Sequence, residues 1–115
     1  MATEARQERL GRNESLFREV NERIEDTASK LSPMFTEFMC ECADDSCFEY
    51  VSLTLQEYTS VRNSGPTFFI VKPGHRNSDI ERVVGGEGDR YEIVQKLGAA
   101  AEVATELNPR PETGY

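Results

Sequence analysis

The residues able to do chemistry in this chain are gathered in Met39-Cys40-Glu41-Cys42-Ala43-Asp44-Asp45-Ser46-Cys47 and in Lys72-Pro73-Gly74-His75. All three cysteines fall within that first run, and His75 is the only histidine. Three thiols and one imidazole make one complete tetrahedral set of donors. Zn2+ takes this mixture of soft sulfur and borderline nitrogen ligands. A set filled entirely by protein donors marks a structural centre, because a catalytic zinc keeps one position open. The C-x-C-x4-C spacing differs from the paired C-x2-C knuckles of zinc ribbons. The expectation of one Zn2+ per chain, held by Cys40, Cys42, Cys47 and His75, therefore rests on the clustering and the count.

Other readings of the same residues stand beside this one. The cluster suits a thiol switch, responsive to redox state or to zinc, in which oxidation forms a disulfide and releases the metal. Cys47 with His75 suits nucleophilic catalysis only if a third group orients the imidazole, and none is identifiable. The plainest reading is three packed cysteines and a loop histidine. The acids Glu41, Asp44, Asp45 and Glu49 bear on the choice. Like-charge repulsion raises a thiol pKa and disfavours a reactive thiolate, while the same acids attract a cation and offer acceptors to orient His75. Asp44, Asp45 and Glu41 do not match a calcium loop. Gly85-Gly86-Glu87-Gly88 lacks the Lys-Ser/Thr of a phosphate loop and reads as a flexible turn. Arg76, Arg82 and Arg90 read as a solvated face or a small basic spot near His75.

Composition narrows the function classes. The net charge is −8, from 21 acidic and 13 basic residues. That excludes a surface built to neutralise nucleic-acid phosphates, and it suits docking on another protein. The 115 residues allow one domain, with apolar residues at 37%, charged residues at 30% and no tryptophan. A core this thin benefits from a metal staple. No apolar run reaches the ~18–20 residues that span a bilayer, and the N-terminus carries no hydrophobic signal core. An odd, clustered cysteine set fits the reducing cytoplasm better than a disulfide framework.

The elements that must position the donors follow from periodicity. Leu10, Phe17, Ile24 and Leu31 recur every seven residues, with Val20 between them, which predicts an amphipathic helix over 1–31. Glu14/Arg18 and Glu19/Arg23 support it as i,i+4 pairs on its other faces. Asn13 offers a cap to a shorter helix, and Ser32-Pro33 stops it. The helix packs on the domain's own sheet or is partly free to dimerise or dock, and Asn13 and Thr27 break its inner heptad positions. From Phe35 to Cys42 the alternation puts Phe38, Cys40 and Cys42 on one strand face and Glu37, Met39 and Glu41 on the other. A turn at 43–46 and a second strand, 47–53, complete a hairpin with the cysteines at its tip. Thr54 and Glu57 form a capping box for a short helix that points Leu55, Tyr58 and Val61 inward. Asn63-Ser64-Gly65-Pro66 ends it. Thr67-Phe68-Phe69-Ile70-Val71-Lys72 is the most apolar run and reads as the central strand, and Pro73-Gly74 turns the chain to present His75. Strands over 80–84 and 90–97, a short helix over 98–107 and a frayed tail over 108–115 follow.

The run Cys40-Glu41-Cys42-x4-Cys47, then Leu53-Thr54-Leu55-x-Glu57-Tyr58-x2-Val61-Arg62, Pro73-Gly74-His75, Glu81-Arg82-Val83-Val84 and Ala101-Glu102-Val103-Ala104-Thr105-Glu106 resembles a group of small actinobacterial proteins. These share the opening helix type Asn13-Glu14-x2-Phe17-Arg18-Glu19-Val20-Asn21-Glu22-Arg23-Ile24. The resemblance covers most of the chain and implies that the cysteine loop and the Pro-Gly-His turn belong to one recurring pattern. It implies no activity.

The sequence thus predicts an α+β fold: a small antiparallel sheet of about four or five strands covered by helices, a zinc-stapled cysteine hairpin, and an N-terminal amphipathic helix. Its organisation is read as helix 1–31, zinc-binding domain 32–107 and tail 108–115. The expected function is non-enzymatic and regulatory, exerted in the cytoplasm through a protein partner. The first helix offers a surface for homo-oligomerisation, and neither nucleic acid nor membrane is the expected partner.

Overall fold

The computed structural model describes residues 4–31, 34–44 and 46–108. The expected helix stop at Ser32-Pro33, Asp45 of the cysteine turn and all of the tail but Asn108 lie outside the described residues. The chain is α+β, in the order α1 (Glu4–Leu31), β1 (Thr36–Met39), β2 (Tyr50–Leu53), α2 (Leu55–Ser64), β3 (Phe68–Val71), β4 (Glu81–Glu87), β5 (Tyr91–Lys96) and α3 (Gly98–Glu106). The five strands divide into two antiparallel sheets, β1-β2 and β3-β5-β4, rather than forming one. Among the described residues no helix is long and apolar enough to cross a membrane.

One face of α1 is built into the core, and the expected heptad stripe supplies part of it: Phe17 is buried, Ile24 and Leu10 pack partly against core clusters, and Leu31 is 76% exposed. The fully buried positions also include Glu14 and Arg18, expected on the other faces, and Asn21. The expected Glu14/Arg18 pair is absent from the salt bridges. Glu14 instead pairs with Lys96 of β5, which also binds Glu81 of β4, and all three are shut away from water. Arg18 stacks 4.2 Å from the Phe69 ring centroid and donates to the carbonyls of Pro66 and Ala104. Asn13 is an interior helical residue whose amide donates to Ala43 O, so it caps nothing. Close packing of α1 on α3 is possible because both surfaces are small: a Cβ at Gly11 would lie 3.2 Å from Ala100 Cα.

The capping box is present, with Thr54 Oγ1 accepting from Glu57 N at 3.0 Å and Glu57 Oε1 accepting from Thr54 N at 2.9 Å. Inside α2, Tyr58 and Val61 are buried with Phe38, Val51, Leu53 and Ile70. The Phe38 and Tyr58 rings stack at 4.3 Å.

The apolar β3 lies at the edge of its sheet, and β5 takes the centre. The reason is local: the outer side of β3 is met by the cysteine segment, which lets an edge strand be as apolar as a central one. Glu41 N donates to Ile70 O at 2.8 Å and Ile70 N donates to Glu41 Oε1 at 2.9 Å. The glycine run is likewise more ordered than its composition suggests. Gly85 and Gly86 belong to β4, across a bulge that shifts the register between Val83 and Gly85. At Gly86 (φ 142°) a Cβ would fall 2.4 Å from Tyr91 O, so only glycine fits against β5.

Candidate metal centre

The β1-β2 hairpin carries the cysteines beyond its last paired residues. Met39 pairs with Tyr50, and Cys40 N donates to Glu49 O at 3.0 Å, so the register runs one step further. The regular strands then end. Glu41 turns to β3, and Cys47 N donates to Asp44 O at 3.0 Å across the turn. His75 arrives from the opposite side, on a turn closed by His75 N donating to Lys72 O at 2.9 Å, with Gly74 at φ 88°. Two remote segments therefore meet because one is bonded to the edge of β3 and the other leaves its end.

The four nominated side chains come together. One donor atom from each of Cys40, Cys42, Cys47 and His75 lies within 4.8 Å of all the others. His75 Nδ1 is 3.6 Å from Cys40 Sγ and 3.6 Å from Cys47 Sγ. A tetrahedron with bonds of about 2.3 Å to sulfur and 2.0 Å to nitrogen sets its donors roughly 3.5–3.8 Å apart. The side chains are thus spaced to close on one ion of that size, and the four residues could hold a metal. All three cysteines are free of disulfides and buried, at 1%, 3% and 8% exposure in chain order. Phe69, Val71, Val94 and Ala104 back them with apolar surface.

The electrostatics depart from expectation. The neighbouring acids do not crowd the sulfurs. Glu41 is fully buried, with Oε2 accepting from Asn21 Nδ2 at 2.8 Å and Oε1 from Ile70 N. Burial pushes its carboxyl pKa up, against those two hydrogen bonds. Glu49 pairs with Lys72, and Asp44 accepts from Ser46 N at 2.9 Å and Ser46 Oγ at 2.6 Å. These partnerships hold both carboxyls below their ordinary range. Of the acids expected to raise the thiols and orient His75, Glu41, Asp44 and Glu49 have these other partners, and Asp45 lies outside the described residues.

The thiols instead act on one another. Hydrogen bonding from Cys40, and then from His75, brings Cys42 down to about 5. The same contact raises Cys40, and burial raises Cys47. The three thiols therefore titrate as one coupled set, in which sulfur–sulfur hydrogen bonding eases loss of the first proton. A thiolate ready at neutral pH is what a divalent cation needs.

Two positioning features were not legible in the sequence. Lys72 N donates to Cys40 Sγ at 3.1 Å, fixing the deepest sulfur to the segment that presents His75. Asn21 binds Met39 through both its N–H and its carbonyl, at 2.7 and 2.8 Å, besides its bond to Glu41. Asn21 falls four residues after Phe17 and three before Ile24, so the helical period places it on the inner face, but nothing local names Met39 and Glu41 as its partners. Of the three arginines, Arg76 shares a cleft wall with His75, while Arg82 binds Gln95 and Arg90 binds Glu57.

The chain matches no protein-family model, no curated protein and no solved structure.

Proposed function

We propose that this chain is a small zinc-binding, non-enzymatic protein that acts by contact with another protein, in a regulatory role. The observation that carries the metal half is the spacing of the four donors, with His75 Nδ1 at 3.6 Å from two sulfurs. Three sulfurs and a nitrogen favour Zn2+ over the hard cations, which take oxygen. Four protein donors fill a tetrahedron and leave no position for substrate, which supports a structural metal. Three unpaired thiols suit a reducing compartment, the cytoplasm.

The contact half rests on a groove of about 450 Å3 lined by Val20, Ile24, Thr27, Leu31 and Phe35 among others. The occupant in this reading is a second copy of the chain. Val20, Ile24, Thr27 and Leu31 keep heptad spacing where the helix is least covered. Two antiparallel copies would stack Val20 on Leu31 and Ile24 on Thr27. The flanking cations are already offset, Arg23 by Glu19 and Lys30 by Asp26.

Metal analysis of the purified protein tests the first half. About one zinc per chain is expected, lost on Cys42→Ser, and a metal-free wild type with full native stability sinks it. Light scattering across a concentration series tests the second. A dimer that dissociates on Ile24→Glu with Leu31→Glu supports it, and a wild type that stays monomeric throughout overturns it.

A further inference from the structure

We infer that Glu81 is the residue that positions His75 for the metal: its buried carboxylate grips the chain two residues past the imidazole and ties that loop to Lys96. The inference rests on the zinc reading above and adds what holds the fourth donor in place.

The segment that carries His75 has little packing to restrain it. Gly74, Arg76 and Ser78 are exposed, and His75 is half-buried. A Cβ at Gly74 would meet nothing within 4 Å. Hydrogen bonds must therefore set its place. Before the imidazole, Lys72 N donates to Cys40 Sγ and His75 N donates to Lys72 O. Glu92 Oε1 accepts from Gly74 N at 3.2 Å and Arg6 pairs with Asp79 at 2.8 Å, but both of these contacts are at the exposed surface. Water competes for contacts of that kind and leaves them worth little.

Glu81 holds the segment from inside the protein. It is 2% exposed, with Oε1 accepting from Lys96 Nζ and Oε2 accepting from Asn77 N at 3.0 Å. The Asn77 carbonyl accepts from Ile80 N and Glu81 N, both at 3.1 Å. Asn77 is thus held at both of its backbone polar groups. Two residues of chain reach at most about 7 Å, so a fixed Asn77 limits the arc open to His75. Lys96 Nζ also lies 4.6 Å from the centroid of the Phe69 ring, which packs with the three cysteines. One ammonium therefore fixes the floor beneath the sulfurs and, through Glu81, the place of the imidazole.

Stability alone is a poor account of this arrangement. Glu14, Lys96 and Glu81 bring three charges out of water, and apolar residues of the same volume often stabilise a fold as well or better. Apolar residues have no acceptor for Asn77 N. A carboxylate has two oxygens, and here one takes the ammonium while the other takes the loop.

The test measures the zinc affinity of the full chain by chelator competition and the His75 ring-proton shifts of the metal-free chain by NMR. Glu81→Leu removes both bonds. If that variant leaves the chain unfolded, Glu81→Asp carries the test: it keeps a charge beside Lys96 but is one carbon too short to span both partners. Val61→Ala, a buried position in α2, is the control for lost stability. The Glu81 variants should lower zinc affinity by about 10- to 100-fold, the usual effect of losing a residue that orients a ligand, and Val61→Ala should leave it at the wild-type value. In a His75→Ala background Glu81→Asp should cost no further affinity, because it acts through the imidazole. An equal loss in both backgrounds, an equal loss in Val61→Ala, or unchanged affinity in Glu81→Asp overturns the inference. In the metal-free chain the His75 ring protons should move toward their unfolded values in Glu81→Asp, and unchanged shifts overturn it too. These spectra separate the two proposals. A wild type that binds no zinc, with a His75 ring that moves in Glu81→Asp, refutes the metal reading and retains the hold of Glu81 on the imidazole. Zinc bound equally well by wild type and Glu81→Asp does the reverse.

Discussion

Asn21 donates to the Glu41 carboxylate at 2.8 Å, joining the middle of α1 to the residue between the first two cysteines. Through this bond the first helix holds the cysteine loop, and through Ile70 the same carboxylate holds the loop to β3. Helix, loop and sheet edge are thereby fixed as one unit around the four metal-binding candidates.

Removing that tie is expected to loosen the site from a distance. Asn21→Leu leaves Met39 N, Met39 O and one Glu41 oxygen without this partner. Each unsatisfied group costs about 1–3 kcal/mol. A fall of about 3 kcal/mol or more in urea-unfolding stability is expected, with weaker zinc binding in a chelator competition. A variant as stable as wild type would show the bonds to be dispensable.

The ion triad of Glu14, Lys96 and Glu81 sets a pH dependence. Two buried carboxylates face one ammonium, so the set carries a net negative charge unless one carboxyl keeps its proton. Burial raises Glu14 well above its ordinary range, against the opposing pull of Lys96, and Glu81 adds to the rise. A raised carboxyl pKa stabilises the fold fully below the unfolded value, near 4.5, and that contribution is lost as pH rises toward the folded value. Glu14→Gln should therefore match wild type in acid and become progressively more stable than it above pH ~5. Lys96→Met should cost about 3–5 kcal/mol at neutral pH, because it leaves the carboxylates unpaired. Stability of the Glu14 variant measured from pH 4 to pH 8 checks the sign, and a constant difference across that range would refute it.

Gly86→Ala should be costly although it adds one methyl on an exposed strand. The Cβ would fall 2.4 Å from Tyr91 O and 2.9 Å from Glu92 Cα, at a φ of 142°. A loss of about 2 kcal/mol or more is expected from strain of this kind. The matched control is Gly85→Ala, whose Cβ would meet only the Ile93 side chain, at 3.5 Å. Thermal unfolding of the pair should rank Gly86→Ala well below Gly85→Ala, and equal midpoints would contradict the close approach.

The four donors should not be equal. His75 sits at the partly exposed side of the set, while Cys40 is buried and bonded to Lys72 N. His75→Ala should retain zinc with affinity lowered by about 10- to 100-fold, since a water can fill the vacated corner. Cys40→Ser should abolish binding and destabilise the metal-free fold. Cobalt substitution reads this out: His75→Ala alters the visible ligand-field bands and Cys40→Ser removes them. Identical spectra for wild type and His75→Ala would exclude the imidazole as a ligand.

Much of the fold could be read in advance where a signal is local. The Thr54/Glu57 capping box and the last helix each follow from residues within one or two turns of one another. The donor set was legible for a different reason. With three cysteines and one histidine in the chain, the count leaves a single way to complete a tetrahedron.

What the sequence determined by itself was therefore the inventory of candidate metal donors and the positions of most helices and strands, because composition and short-range periodicity specify both. Only the tertiary structure decided which charges are buried, which strand forms the edge and where the acids of the cysteine loop point. Glu14 and Arg18 look like solvent-facing helix residues until Lys96 and Phe69 arrive from distant parts of the chain to receive them. A long-range partner changes the cost of burying a charge or an amide, and no spacing within the helix records that partner.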